Sequence, residues 1–381
     1  MKKKSNMLYA VAFVVIFILM AFNYNGPDIG TYIATYKLVG NAVDLSNALD
    51  STYMEFGYTF LMFCGSKIGL DFFAFRIILT FACLALLHST IRYYKVNPNF
   101  IVGLYMVYLF FFDTIQLRNC LTQFIILFAT RYLFQKSGLS ILKYIGCIII
   151  AGSIHTLSFV YLVLLLTRFS NKKIFYQILF GIATIMFIGC VLLQPFLPQI
   201  LTAISQLLNR GSGYFTTTVR MNCWVVLALH LVTLFPLYRY RSKISNESAK
   251  KTIDIIFKIE IIMGLFLPFS FINSNFNRIF RNVLILDTIG LALLYENSPR
   301  KSNSKQISLM ALFLLIGGWL ITDMYRNRNQ DIIHAIMEYN LFFNYVDIVN
   351  TLQCVIVIAV CLIFMIVLRQ AAHLRINKKR R

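Results

Sequence analysis

The chain has 381 residues, 59% of them hydrophobic, 15% aromatic and 13% charged, with a mean hydropathy of +0.71. A soluble domain carries roughly 45–50% apolar residues, which excludes an aqueous fold with one ordinary core. The net charge of +21 does not indicate nucleic acid, because the basic residues form short clusters between apolar runs, where the bias of lysine and arginine toward the cytoplasmic side of a membrane accounts for them.

The opening Met1-Lys2-Lys3-Lys4 precedes an apolar run from Met7 to about Tyr24 with no small-x-small cleavage site after it, so it reads as a retained first helix. Spanning-length apolar runs follow near 71–91, 99–115, 118–135, 174–195, 221–238, 252–272, 279–295, 306–322 and 351–368. Two shorter runs, 139–154 and 156–169, meet in a tight hairpin at His155. The segment 56–69 is short and carries Gly57, Gly65, Lys67 and Gly69. If it crossed, the loops around Arg92, Lys136 and Lys172 would face outward against the charge rule; read as a re-entrant or interfacial element, it leaves every lysine-rich loop inside. The expected fold is therefore an all-α polytopic integral membrane protein, one membrane domain over 1–381 with about twelve transmembrane helices. Both termini are expected in the cytoplasm. Outer loops are expected at 25–70, 196–220 and 323–350.

On this threading only Lys37 and Lys67 among the lysines face outward, whereas Arg118, Arg210, Arg220, Arg278, Arg281, Arg326 and Arg328 do. Arginine's planar fork suits bidentate contact with phosphate better than the point charge of lysine. An outer face poor in lysine and supplied with arginine thus points to an anionic, lipid-linked substrate. The eight cysteines lack metal-ligand spacing and sit mostly in apolar runs, so neither a disulfide framework nor a metal site is indicated, and no cofactor is expected.

Asp28, Tyr32 and Tyr36 recur every fourth position and share one helix face, offering a carboxylate beside tyrosines able to stack on sugar; the plainer reading is an interfacial aromatic belt with Asp28 as a helix cap. Glu55 brings a second outer carboxylate, next to Gly57 and Tyr58. Two carboxylates near a bilayer suit the acid and base work of glycosyl transfer, and Glu55 or Asp28 is the expected general base, although Glu55 has an alternative as the partner of Arg118. The patch from Gln116 through Arg118 to Gln123 opens an otherwise apolar helix and is expected to face a lumen. His155 suits proton transfer or phosphate hydrogen bonding. Asn277, Arg278 and Arg281 lie at an expected helix start, where two arginines and the positive helix end favour an anion. Arg210 and Arg220 flank the glycine-rich stretch of a long loop and are expected to act as a lid.

With these residues in place the chain resembles the EpsG/Wzy-type family of bacterial polysaccharide polymerases from the first helix to about Arg281. The resemblance lies in Asp28-x3-Tyr32-x3-Tyr36, Glu55-x-Gly57-Tyr58, Leu117-Arg118-Asn119, the hairpin His155 and Asn277-Arg278-x-x-Arg281. Where the family usually reads Leu-Arg-Gln-x-Leu-Ala, this chain has Leu117-Arg118-Asn119-Cys120-Leu121-Thr122. The resemblance implies a glycosyltransferase in the bacterial cytoplasmic (inner) membrane. It would polymerise undecaprenyl-diphosphate-linked oligosaccharide repeat units at the outer face, with the lipid diphosphate as leaving group, toward O-antigen, capsule or exopolysaccharide. Its implied partners are that substrate, membrane lipid, a chain-length regulator and a flippase. The alternatives are a transporter or flippase, which would place polar residues near the midplane in inverted repeats, and a membrane acyltransferase, which would place its histidine within reach of a cytoplasmic thioester.

Overall fold

Polar residues at segment ends set the helix boundaries: Asp71 accepts from the Ala74 N–H at 2.7 Å, and Asp44, Asn97, Ser137 and Asn246 cap their helices in the same way. A computed structural model of the chain describes residues 2–135, 137–169, 173–193, 220–272, 274–299 and 302–326, with Phe196, Gln199, Ile336 and Asn340 as separate positions. Most of these residues are helical, with no strand among them, and the one bridge among them pairs Asn23 with Asn340. The segment 351–368, Arg210, the side chain of Arg220, Arg328 and most of the expected outer loops 196–220 and 323–350 lie outside the described residues.

The first half comprises α1 (Lys2–Ala21), α2 (Ile29–Asn41), α3 (Leu45–Asp50), α4 (Phe56–Lys67), α5 (Phe72–Tyr94), α6 (Pro98–Val107), α7 (Leu109–Ile115), α8 (Leu117–Thr130) and α9 (Gly138–Ile154). A 3-10 stretch over Thr156–Leu165 leads into α10 (Leu166–Phe169) and then α11 (Lys173–Leu192). Next come α12 (Arg220–Tyr240), α13 (Glu247–Met263), α14 (Phe269–Ile272), α15 (Asn277–Arg281), α16 (Leu284–Asn297) and α17 (Asn303–Arg326). Helix α5 packs on α8 and α8 on α9, while α12 and α16 pack on α17.

Among the described residues, four helices are long and apolar enough to cross a membrane: Phe72–Tyr94, Lys173–Leu192, Cys223–Lys243 and Asn303–Tyr325. The pair α6 and α7 adds a bent candidate. Helix α11 leaves Ile178, Phe180, Ile182, Ile185 and Ile188 exposed, an apolar face suited to lipid and not to water. The chain is a membrane protein.

Several expected helices are interrupted. The run 99–115 bends by 65° at Tyr108, whose backbone leaves the helical region. The break lets Tyr105 donate to Asp113 at 3.0 Å and the Tyr108 hydroxyl reach Asp323, satisfying two buried carboxylates that a straight apolar span would strand. The expected helix over 279–295 starts only at Leu284, and Asn277–Arg281 form a separate short turn ahead of it, at whose end the Asn282 N–H bonds the Arg278 carbonyl at 2.9 Å.

Contacts between segment ends sort the chain into two poles. At one pole Arg76, in the first turn of α5, donates to the carbonyls of Met20 at 2.8 Å and Thr114 at 2.7 Å, tying together the ends of α1 and α7. There too, Asn340 donates to the carbonyls of Ile18 and Leu19. At the other pole the Asn97 N–H bonds Glu296 at 3.0 Å, Asn246 bonds Asn297 at 3.1 Å, and Tyr93 bonds the Arg131 carbonyl. Helix α4 has twelve residues, about 18 Å, against about 30 Å of bilayer hydrocarbon. Its exit lies beside α2, where Tyr36 donates to the Leu70 carbonyl at 2.9 Å.

Candidate active site

The first pole gathers polar residues from five separate segments. Glu55 is the residue before α4, and its carboxylate accepts from Arg118, from the Thr156 N–H at 3.1 Å and from the Thr156 hydroxyl at 3.3 Å. His155 Nδ1 lies 3.4 Å from Glu55 Oε1, an ion-pair distance without hydrogen-bond alignment, and neither ring nitrogen has a hydrogen-bond partner among the described residues. Gly57 makes this proximity possible: a Cβ there would stand 2.8 Å from the Ser153 backbone carbon, so only glycine lets the start of α4 lie against the end of α9.

A cavity of about 180 Å³ opens beside this cluster. It is lined by Asp28, Thr31, Tyr32, Tyr53 and Met54 from α2 and the approach to α4, and by Gln116, Arg118, Asn119, His155 and Arg278 from later segments. Asp28 stands at the N-cap position of α2, where its side chain caps no N–H, and it lines the cavity.

Burial pushes the Glu55 carboxyl up, but His155, the Arg118 charge and the Thr156 N–H outweigh it and hold the group down to about 2. Glu55 is therefore ionised throughout the physiological range and is a weak base. Burial, together with the Arg118 and Arg278 charges, holds the His155 imidazole below its ordinary value against the opposing pull of Glu55. A neutral, cavity-facing imidazole beside a fixed carboxylate has the makings of a proton acceptor.

The chain matches the EpsG family over residues 6–341. It belongs to the EpsG family. No curated protein and no solved structure matches it. The EpsG match runs beyond Arg281, where the resemblance read from motifs stopped, and takes in Asp323 and Asn340, both of which contact the first pole.

Of the residues singled out by sequence, Asp28, Tyr32, Arg118, His155 and Arg278 meet at the cavity, with Glu55 directly behind Arg118 and His155. Tyr36 turns away into packing against Phe72 and Phe75, and Tyr58 is fully buried edge-on beneath Tyr32; neither offers a sugar platform. Gln123 is buried on Asp113 at 3.3 Å. Asn277 is buried with both amide atoms unpartnered among the described residues. Arg281 lies off the cavity, held by Asp323 at 3.0 Å and Gln116 at 2.7 Å. The expected helix-end anion site at Arg278 and Arg281 is corrected as well: α15 is a single turn, too short to present the aligned dipoles of a long helix. Arg210 and the Arg220 side chain lie outside the described residues.

Sequence reasoning did not weigh Asp113, Arg76 or the cluster of His230, Glu260 and Asp287 in the later part of the chain. There His230 Nδ1 lies 3.0 Å from Glu260 Oε2, and Asp287 is within hydrogen-bonding reach of Glu260. The available signal was an ionisable residue inside each apolar run.

Proposed function

We propose that this EpsG-family protein is a polysaccharide polymerase of the bacterial cytoplasmic membrane that joins undecaprenyl-diphosphate-linked oligosaccharide repeat units at the outer face. The observation that carries this reading is the juxtaposition of His155, neutral and 3.4 Å from the Glu55 carboxylate, with Arg118 and Arg278 around one cavity at the lysine-poor pole. Family membership supports a role in polysaccharide assembly.

In this reading an acceptor sugar hydroxyl gives its proton to His155 while its oxygen attacks the anomeric carbon of the donor. The bond between that carbon and the diphosphate oxygen breaks, and its electron pair leaves with the lipid diphosphate, whose charge Arg118 and Arg278 stabilise. His155 then returns its proton to solvent. Glu55, 3.4 Å away, steadies the imidazolium that forms, an electrostatic role in place of the base role expected from sequence. Asp28 and Tyr32, which also line the cavity, are placed to orient sugar hydroxyls. Loops 25–70 and 323–350 share the outer side in this topology, and the chain crosses the membrane several times with the lysine-rich loops inside. A chain-length regulator and a flippase are the proposed partners.

Purified protein in proteoliposomes, supplied with lipid-linked repeat units, should produce a polysaccharide ladder and release one undecaprenyl diphosphate per bond formed. Uptake of the lipid-linked units across the bilayer with no ladder would support the transporter alternative instead.

A further inference from the structure

The peptide linking α7 to α8 passes through Gln116, whose backbone (φ −94, ψ 63) breaks the helix and turns its side chain toward α15. Its Oε1 accepts from Arg281 at 2.7 Å. Arg281 is buried, its guanidinium donates also to Asp323 at 3.0 Å, and it lies 5.0 Å over the Phe112 ring. Asp323 in turn accepts from the Tyr108 hydroxyl. Four residues from four helices or their ends thus form one chain, Tyr108 to Asp323 to Arg281 to Gln116, and only its last member lines the cavity.

A guanidinium has N–H donors and no acceptor, so the side of Gln116 that meets Arg281 has to be the carbonyl oxygen. That removes the usual ambiguity of an amide's orientation. The amide nitrogen is left with two N–H donors and no other hydrogen bond among the described residues, on a side chain that borders the cavity beside Arg118, Asn119 and Arg278. The Arg281–Asp323 pair is neutral overall, so what Arg281 conveys to the cavity is direction and polarisation. A carbonyl bonded to a buried cation draws electron density from its own amide and sharpens the N–H donors.

We infer that Gln116 is a binding residue for a diphosphate oxygen and that Arg281, locked by Asp323, is its positioning residue and not itself a diphosphate ligand. The inference rests on reading the cavity as a lipid-diphosphate site. An anion with acceptor oxygens only, held by two arginines, is the natural partner of a pair of fixed amide donors.

The test is binding of undecaprenyl diphosphate, with inorganic diphosphate as a second probe, to the full-length protein in lipid nanodiscs. Gln116→Glu keeps an oxygen for Arg281, so the buried chain stays satisfied, but it replaces the two donors with a repelling carboxylate. Binding of both probes should weaken by about tenfold or more. In turnover the loss should appear in KM more than in kcat. Arg281→Lys should weaken binding in the wild-type background but add little once Gln116→Met has removed the donors, a coupling that a merely structural role would not produce. Wild-type affinity in Gln116→Glu at an unchanged Tm, or additive losses in the double variant, would overturn the inference. If wild type binds inorganic diphosphate, and Gln116→Glu weakens it, while the lipid diphosphate is ignored, Gln116 keeps its role and the lipid-linked substrate reading falls. Binding of neither probe by wild type overturns both.

Discussion

Glu55 receives the Arg118 guanidinium, two donors of Thr156 and the edge of His155, and each of these contacts favours its charge. Replacing it with glutamine keeps an oxygen for Thr156 but removes the charge that raises the imidazole against burial and the arginines. The acid limb of the pH–rate profile, which reports deprotonation of His155, should therefore move to lower pH in Glu55→Gln, with reduced kcat. A limb that stays in place would show that Glu55 does not act through His155. The same ionisation sets acid stability. A carboxyl held at about 2 when folded and near 4.5 when unfolded contributes stability above pH 4.5, and that contribution fades as pH falls toward 2. Thermal melting in detergent should fall across this window in wild type and fall less steeply in Glu55→Gln.

Residue chemistry was partly legible in the sequence. Asp28, Arg118, His155 and Arg278 stood out because polar groups at helix ends in an apolar chain need a reason to be there. Tyr36 and Tyr58 misled, since a four-residue period places side chains on one face without saying whether that face meets a cavity or the next helix. Arg278 and Arg281 carried the same signal from sequence, and only packing separated the cavity-lining arginine from the one clamped by Asp323.

Helix α4 positions the site because its first turn touches the last turn of α9 through Gly57. Gly57→Ala should push the two helices apart, lengthen the Glu55 to His155 and Thr156 contacts, and lower activity by at least tenfold at near-normal abundance, a loss on the scale of a misplaced catalytic group. Wild-type activity in Gly57→Ala would show that the close approach is incidental. At this scale the hydrophobic pattern gave the all-helical character and the place of many apolar segments, but four described helices, or five with the bent pair, are long and apolar enough to cross where about twelve were expected, and the breaks at Tyr108 and at Asn282 to Val283 were hidden. Each lies beside a long-range polar contact, Tyr108 with Asp323 and Asn282 with Asn119, that hydropathy along the chain does not encode. The triad of His230, Glu260 and Asp287 was hidden likewise, its members falling in three separate apolar segments.

Across the whole molecule, the pole holding Glu55, Arg118, His155 and Arg278 is the one the lysine pattern assigns to the outer side, and the pole holding Lys95 and Asn246 is the lysine-rich one. An impermeant thiol reagent applied to intact spheroplasts, in a background without native cysteines, should therefore label Asn47→Cys and spare Lys95→Cys until the cells are lysed. The reverse pattern would place the cavity in the cytoplasm and remove the lipid-linked oligosaccharide as its substrate.

The most direct measurement is single-turnover polymerisation by His155→Gln in proteoliposomes, with substrate binding measured on the same preparation. Loss of a positioned base slows proton transfer by about 10²–10⁴-fold. The expected result is lipid-linked repeat units bound with wild-type affinity and almost no ladder. A ladder formed at the wild-type rate would contradict proton transfer by His155 and leave the cavity without its proposed chemistry.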